Sequence, residues 1–243
     1  MHSKPSFSRT GPTDLRRKHS LLGRLLSMFV AAGINGKPVV RFDGFDDTLI
    51  RGTVASLANG STGGAVLVVR RAASAAASTS RPVAFLSTGA SAGVPRISLA
   101  TGTLGKAVVQ GRRPDSGALA TVTSSTSVAA TAVQLQAAVL DVVGGKLHEY
   151  VNGLKVGQAS LGTSGVTSSV AASKALRIGS SGAAGEKPFG GDIAEVIVLN
   201  GPLTDCQRKM LEGYLAHRWG FASSLPASHP YRTAAPDTSN ACE

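Results

Sequence analysis

The sequence has little cysteine, few aromatic residues and few acidic residues. Two cysteines among 243 residues cannot form a disulfide framework, and we expect Cys206 and Cys242 to be free thiols rather than a bridge. Aromatic residues make up 5% of the chain, which leaves few side chains that could stack on a flat ligand. The 14 acidic residues leave few candidates for acid-base chemistry.

Motifs of several enzyme classes are also missing. None of the five histidines is spaced with a cysteine or a second histidine as a zinc site requires. The chain contains no G-x-S-x-G nucleophile motif and no phosphate-binding loop. The longest apolar stretch, Leu21–Ile34, is interrupted by Arg24 and is shorter than the ~20 residues that span a bilayer. We predict no cofactor and no membrane partner.

Basic residues are concentrated at the amino terminus. The chain carries a net charge of +11, of which +5 comes from the first 24 residues. We interpret residues 1–30 as a basic arm with a short amphipathic helix over Leu21–Ala32. The arm either contacts an acidic partner or is simply solvated. The residues that would contact such a partner are Arg16, Arg17, Lys18 and Arg24.

The body of the chain shows many short apolar segments separated by Gly, Pro and Ser clusters. This spacing predicts an all-β sandwich or barrel. Asn152-Gly153 lies between two such segments and is typical of a two-residue hairpin turn. The predicted strands are Pro38–Asp43, Ala65–Arg71, Pro82–Ser87, Arg96–Ala100, Gly105–Gln110, Ala118–Thr123, Val133–Val143, Lys146–Val151, Leu154–Ala159 and Ala175–Gly179.

The clearest local signals lie between residues 187 and 220. Asp192–Asn200 is nearly continuous apolar sequence, which is typical of a strand covered on both faces. Thr204 and Gln207 then form a T-x-x-Q capping box, which predicts the start of a helix over residues 204–219. Gly220 provides a C-terminal stop. The apolar residues at helical spacing are Met210, Leu211, Tyr214, Leu215 and Trp219.

Several of these segments together resemble the laminin-G-like group of concanavalin A-like lectin/glucanase domains, which occur in bacterial surface proteins and bacteriophage virion proteins. The resemblance implies an antiparallel jelly-roll β-sandwich over residues 31–220 with one C-terminal amphipathic helix, followed by an irregular tail over 221–243. The matching segments are RFDGFDD (Arg41–Asp47), YVNG (Tyr150–Gly153), LRIG (Leu176–Gly179), the segment Phe189–Gly220, and LPASHPY (Leu225–Tyr231).

The resemblance also predicts a difference at the amino terminus. Members of this group usually carry a further strand region before the RFDG segment, where this chain has its basic arm. The sandwich is therefore expected to lack an edge strand. We infer that either the arm or a neighbouring chain covers that edge.

Glycoside hydrolysis by a domain of this kind would need two opposed carboxylates. The Glu-x-Asp-x-x-Glu run of related glucanases is absent here. Glu195 is the one acidic residue inside the apolar strand, on a face that we expect it to share with Ile193, Ile197 and Leu199. We interpret it as a structural carboxylate held by the backbone or by an arginine such as Arg41 or Arg177. No catalytic residue is predicted.

Two small groups of residues remain as candidates for a binding site. Asp43, Asp46 and Asp47 indicate a turn, because Asp favours turns, and they also offer oxygen ligands that would suit calcium. Phe45, Tyr150 and Asn152 are candidates for contact with a ligand, although core packing explains both aromatic residues equally well.

We therefore predict a non-enzymatic, lectin-like structural or binding module. The expected setting is a bacteriophage virion, as a capsid decoration protein, head fibre or tail appendage that docks through its arm onto other virion proteins or copies of itself. A homo-oligomer is expected, and nucleic acid is not an expected partner. The alternative is an extracellular or cell-surface adhesin that binds carbohydrate, and a glucanase-type hydrolase is the remaining alternative.

Overall fold

A computed structural model describes residues 27–52, 59–74, 81–87, 95–127, 129, 131–169, 175–181 and 187–237. These residues form thirteen strands and one α-helix, and two short 3₁₀ turns lie at Thr103–Gly105 and Ala222–Ser224. The strands are β1 (Met28–Ile34), β2 (Lys37–Asp43), β3 (Leu49–Arg51), β4 (Gly63–Ala72), β5 (Arg81–Ser87), β6 (Pro95–Thr101), β7 (Lys106–Gly111), β8 (Ala120–Ser127), β9 (Gln134–Asp141), β10 (Lys146–Val151), β11 (Leu154–Ser160), β12 (Leu176–Ile178) and β13 (Gly190–Asn200). The helix is α1 (Asp205–Trp219).

The strands form two antiparallel sheets. Sheet A has seven strands in the order β1-β2-β13-β4-β9-β10-β11, and sheet B has six in the order β3-β12-β5-β6-β7-β8. The prediction of an antiparallel sandwich with one C-terminal helix is confirmed. All eleven predicted strands, Asp192–Asn200 included, are present, with boundaries that differ by a few residues.

Sheet A is covered on both faces, which explains the continuous apolar sequence of its central strands. Alternate residues of β4 such as Val66 and Val68 pack against sheet B, while Leu67 and Val69 pack against the helix side. β13 pairs with β4 over Gly191–Asn200 and lies between β2 and β4. The molecule is therefore built in three layers, with sheet A in the middle.

Helix α1 begins and ends where its sequence predicts. The Thr204 side chain accepts a hydrogen bond from the Gln207 backbone N–H, and the Gln207 side chain accepts one from the Thr204 N–H. Gly220 closes the helix in the left-handed region at φ 72°. The capping box and the C-terminal glycine are both confirmed.

The buried face of α1 differs from the predicted apolar face. Leu215 and Trp219 are buried as expected, but Tyr214 is 41% exposed. Arg208 and Glu212 are buried instead and form an ion pair with each other. Paired charges replace apolar side chains in the amino-terminal half of this interface.

The amino-terminal prediction is partly wrong. Residues 28–32 of the predicted helix Leu21–Ala32 belong to strand β1, which pairs antiparallel with β2. The rest of that prediction lies outside the described residues. The turn between the two strands is Asn35-Gly36, with φ of 50° and 74°, as two-residue hairpin turns require. A strand therefore does precede the RFDG segment, contrary to expectation.

The C-terminal segment packs over the helix and the β10–β11 turn. Phe221, Leu225 and Tyr231 are each at most 5% exposed. Gly213 of α1 allows a close approach, since a Cβ there would lie 2.4 Å from Cβ of Tyr231. This part of the tail belongs to the folded body rather than to a loose surface segment.

Cys206 is disulfide-bonded, so the prediction of free thiols is wrong. Cys206 lies in the first turn of α1. The sequence contains one other cysteine, Cys242, which is outside the described residues.

Candidate functional site

The turn between β2 and β3 brings three carboxylates together. One ligand oxygen from each of Asp43, Asp46 and Asp47 lies within 4.8 Å of the others. The backbone fixes this arrangement: the Asp43 N–H donates to Asp47 Oδ2 at 2.8 Å, and the Phe45 N–H donates to Asp43 Oδ1 at 2.8 Å. We call the segment Asp43–Asp47 the acidic turn.

The charged form of Asp47 is destabilised by its position in the acidic turn. Asp47 is 4% exposed, and burial first, then the charges of Asp43 and Asp46, raise its pKa above the usual value, although the bond from the Asp43 N–H opposes this. A bound cation would offset both the burial of the charged Asp47 carboxylate and its repulsion by Asp43 and Asp46. The three carboxylates suit calcium, which prefers six to eight oxygen ligands, so backbone oxygens, water or ligand hydroxyls would have to supply the remaining positions.

A pocket adjoins the acidic turn at this end of the sandwich. Its volume is about 330 Å³. Phe45 lines the pocket and is 80% exposed, the highest value among the large apolar residues that the structure describes. We call this the end pocket, and its lining residues are Asp43, Gly44, Phe45, Ala72, Ala73, Ser74, Arg81, Thr101, Phe189 and Gly190.

A second depression shares Ala72 and Ala73 with the end pocket. Its polar wall is formed by Arg41 and Arg71, which both donate to the buried carboxylate of Asp192. The pKa of Asp192 lies below its usual value, because the bonds and charges of the two arginines outweigh the effect of burial. Two guanidinium groups share one carboxylate here, which leaves a positive charge next to the end pocket.

The remaining predicted ligand residues do not reach this site. The Tyr150 ring lies under the Arg208 guanidinium, 3.8 Å from its carbon to the ring centroid, and packs with the helix-side core. Asn152 closes the β10–β11 turn, and its Oδ1 accepts from the Leu135 N–H at 2.9 Å. Both residues make structural contacts. The four basic residues of the arm, Arg16, Arg17, Lys18 and Arg24, lie outside the described residues.

Glu195 is held by several donors on the helix side of sheet A. Trp219 Nε1 donates to it at 2.8 Å, and Arg218 Nε lies 2.9 Å away. The arginine is therefore Arg218 and not Arg41 or Arg177. A bulge between Ile193 and Glu195 also puts Ile193 on the opposite face from Glu195. The interpretation as a satisfied structural carboxylate fits these contacts.

A polar group lies inside the sandwich that the sequence analysis missed. Arg70, Gln136 and Glu149 are at most 2% exposed between the two sheets. Gln136 joins the other two: its Oε1 accepts from Arg70 Nη2 at 3.3 Å, and its Nε2 donates to Glu149 Oε1 at 2.9 Å. Burial raises the pKa of Glu149 to about 7 although Gln136 and Arg70 oppose this, and burial lowers the pKa of Arg70 to about 10.

The two-sheet fold and the end pocket together define a class of protein: a lectin-like sandwich with a candidate ligand pocket at one end. A family model described as concanavalin A-like lectin/glucanases superfamily matches residues 70–207. The match covers more than half of the chain, and the chain belongs to this family. No curated protein matches the sequence significantly.

Solved structures support the fold at low sequence identity. Domain 4 of AbnA, an extracellular arabinanase from Geobacillus stearothermophilus, in complex with arabinotriose, is 13% identical over 74% of this chain and 77% of its own, with a TM-score of 0.51. A heptameric pentraxin from Limulus polyphemus is 13% identical over 79% and 82%, with a TM-score of 0.52. The CBM40 of a Ruminococcus gnavus sialidase, bound to sialyllactose, is 15% identical over 65% and 94%, with a TM-score of 0.50.

The fold is thus one that carbohydrate-binding domains share. Further similar structures are binding domains of toxins, and others are sialidases. The helix in the described part of the chain is too short and too polar to cross a membrane.

Proposed function

We propose that this protein is a non-enzymatic module that binds a cell-surface glycan in the end pocket. The observation that carries the proposal is the position of Phe45, an aromatic ring left 80% exposed beside three carboxylates and a 330 Å³ pocket. Exposure of an aromatic ring to water is unfavourable, and an apolar sugar face that covers the ring removes this cost. The sugar-binding neighbours named above support the same ligand class.

Calcium completes the proposed site. Asp43, Asp46 and Asp47 hold the ion, and sugar hydroxyls fill part of its remaining coordination positions. The charge that the ion brings also offsets the burial of Asp47. The positive wall formed by Arg41 and Arg71 favours glycans that carry an acidic group.

Replacing Phe45 by alanine is expected to weaken glycan binding about tenfold, since a stacked aromatic contact contributes roughly 0.5–1.5 kcal/mol beyond its buried area. The measurement is a glycan array with neutral and acidic sugars, followed by titration of the best ligand. Val143→Ala, an apolar residue 56% exposed elsewhere, is the matched control and should bind as the unaltered chain does. Equal binding by the two variants, or no retained glycan, would contradict the proposal.

Calcium binding is expected with a Kd on the order of 10⁻⁴ to 10⁻³ M, as in extracellular calcium modules. Asp46→Asn should weaken it about tenfold or more, because one of three charged ligands is lost. Isothermal titration calorimetry measures both values, with Asp141→Asn as a control outside the end pocket. If Asp46→Asn and Asp141→Asn bind calcium equally, the acidic turn is only a turn.

An extracellular location fits this function. The bonded state of Cys206 supports it, because disulfides persist in oxidising compartments. Enzymatic activity is not part of the proposal. Incubation with the glycan that binds should release no reducing sugar, and a release that Glu195→Gln abolishes would favour the hydrolase alternative.

A bacteriophage virion surface is a second proposed setting. The observation that favours it is the concentration of +5 charge in the first 24 residues, which suits docking onto an acidic protein lattice. In that setting the arm attaches the module and the end pocket faces outward. The two settings separate by purification: a virion protein sediments with phage particles, whereas a cell-surface adhesin stays with cells.

A further inference from the structure

Three charged residues lie side by side on sheet A, next to the end pocket. Asp192 of β13 pairs with Arg41 of β2 on one side and with Arg71 of β4 on the other. Residues paired across neighbouring strands share a face, so the three side chains form a row with the carboxylate in the middle. We call Arg41, Asp192 and Arg71 the arginine row. It carries one net positive charge, because two guanidinium groups share one carboxylate.

The arginines of the row are accessible, whereas the carboxylate is not. The side chain of Asp192 is 4% exposed, but those of Arg41 and Arg71 are 44% and 29% exposed. Nη1 of both arginines and Nε of Arg71 make no hydrogen bond to any residue that the structure describes. A carboxylate, sulfate or phosphate group accepts hydrogen bonds from donors of this kind.

Asp192 holds both guanidinium groups in a fixed position. Arg41 donates to it with Nε at 2.7 Å and with Nη2 at 3.1 Å, and Arg71 donates with Nη2 at 2.5 Å. A ligand that binds to side chains already held in place does not have to immobilise them, which favours binding. Asp192 therefore acts as a positioning residue for the two arginines.

The depression beside the row contains a strained residue. Its volume is about 400 Å³, and Thr131 lines it with an exposed side chain. The backbone of Thr131 is in the left-handed region at φ 71°, which a β-branched residue rarely adopts. Strain of this kind is concentrated at functional sites, and glycine would adopt the same backbone freely. The threonine side chain is thus present at a cost in stability, which indicates a use for its hydroxyl.

We propose that the arginine row and Thr131 form an anion subsite for a carboxylate or sulfate group on a glycan. The anionic group accepts hydrogen bonds from both guanidinium groups and from the Thr131 hydroxyl. The depression shares Ala72 and Ala73 with the end pocket, so one ligand spans both. A sugar unit then stacks on Phe45 while the next unit presents its charge to the row. The ligand class, an acidic oligosaccharide of at least two units, rests on the proposed glycan function, whereas the anion subsite itself does not.

Titration with sodium sulfate and with sodium acetate, at constant ionic strength, tests the subsite without any glycan. The side-chain Nε–H signals of Arg41 and Arg71 in the NMR spectrum of the unaltered chain should shift with a Kd on the order of 1–10 mM. Arg71→Gln should weaken sulfate binding about tenfold or more, because one of two charge-assisted contacts is lost while Arg41 still pairs with Asp192. Arg51→Gln, an exposed arginine on β3, is the matched control and should bind as the unaltered chain does.

Thr131→Gly distinguishes a binding role from a structural one. Glycine relieves the left-handed backbone, so the variant should be at least as stable in urea as the unaltered chain. Its sulfate binding should nevertheless be weaker by about threefold or more, because a hydrogen bond to the anion is lost. Unchanged sulfate binding would overturn the role of Thr131, as would a loss of stability that accounts for the weaker binding.

Glycans supply the second arm of the test. Carboxylated or sulfated oligosaccharides should bind about tenfold more tightly than their neutral counterparts, and Arg71→Gln should remove this preference without weakening the neutral ones. No shift of either arginine signal, or equal sulfate binding by Arg71→Gln and Arg51→Gln, overturns the subsite. Neutral and acidic glycans bound equally overturn the ligand class while the proposed function stands. Sulfate bound without any retained glycan confirms the subsite and overturns the proposed function together with the ligand class.

Discussion

Replacing Glu212 by alanine is expected to lower the free energy of unfolding by about 3–5 kcal/mol. Arg208 and Glu212 are 3% and 0% exposed, and they form an ion pair beneath helix α1. His229 Nε2 lies 3.3 Å from the same carboxylate. Without Glu212, the Arg208 guanidinium stays buried without its buried counterion, and desolvated charge is costly. Urea unfolding measured by fluorescence of the single tryptophan, Trp219, gives the value.

Asp205→Ala provides the matched control for this prediction. Asp205 also pairs with Arg208, but its side chain is 63% exposed, so we expect a loss of at most about 1 kcal/mol. The double variant Arg208→Met and Glu212→Leu removes both charges and should recover most of the stability, since apolar pairs of similar volume replace buried ion pairs well. Equal losses for Glu212→Ala and Asp205→Ala would show that burial of this pair has no energetic weight.

The stability of the fold is expected to fall by about 3 kcal/mol between pH 4.5 and pH 7 through Glu149 alone. Burial raises the pKa of Glu149 to about 7 in the folded chain, from 4.5 in a solvated carboxyl. In this window the folded state holds a proton that the unfolded state releases, so rising pH favours unfolding. Below pH 4.5 both states are protonated, and above pH 7 both are ionised, so the contribution stops changing.

Glu149→Gln tests this prediction because glutamine has nearly the same shape and does not ionise. The variant should match the unaltered chain near pH 4.5 and exceed its stability by about 3 kcal/mol at pH 8. Unfolding in urea at four pH values between 4.5 and 8 measures both curves. Parallel curves would mean that Glu149 ionises in the fold as easily as in water, with Arg70 and Gln136 fully offsetting its burial.

The strands and the helix that the sequence predicted well carry their signal locally. β4, β9 and β13 lie in the middle of sheet A and are covered on both faces, so their sequences are predominantly apolar. The cap of α1 is equally local, because Thr204 and Gln207 carry the whole signal within four residues. Where an element is determined by neighbours in sequence or by complete burial, the local sequence pattern is sufficient to predict it.

The two missed strands, β1 and β3, are both edges. β3 has three residues, all exposed, and produces no periodic pattern. The apolar residues of β1 predict part of an amphipathic helix instead, because a short apolar run such as VAAG fits a helix and a strand equally well. The signal that could have found it is Asn35-Gly36, the same dipeptide as at Asn152-Gly153, where the hairpin was correctly predicted.

Buried charge was the other feature that the sequence did not reveal. Arg70 occurs in an apolar strand and Glu149 in a strand with alternating polarity, and nothing local shows that both point between the sheets. Their burial depends on Gln136, more than 60 positions from Arg70. In the candidate site, the acidic turn and Phe45 lie in one local segment and were predicted as members of two separate groups, whereas Ala72, Arg81 and Phe189 come from three distant segments and were not predicted.

The place of β13 in sheet A sets the order of events while the chain is being made. β13 lies between β2 and β4, and the contact between Arg41 and Asp192 joins residues 151 positions apart. At about 5–20 residues per second, roughly 8–30 s pass between synthesis of the two partners. Throughout that time β2 and β4 each lack the neighbour that covers their edge, and an unpaired edge can pair with another chain. The last third of the polypeptide therefore completes a sheet that the first third begins.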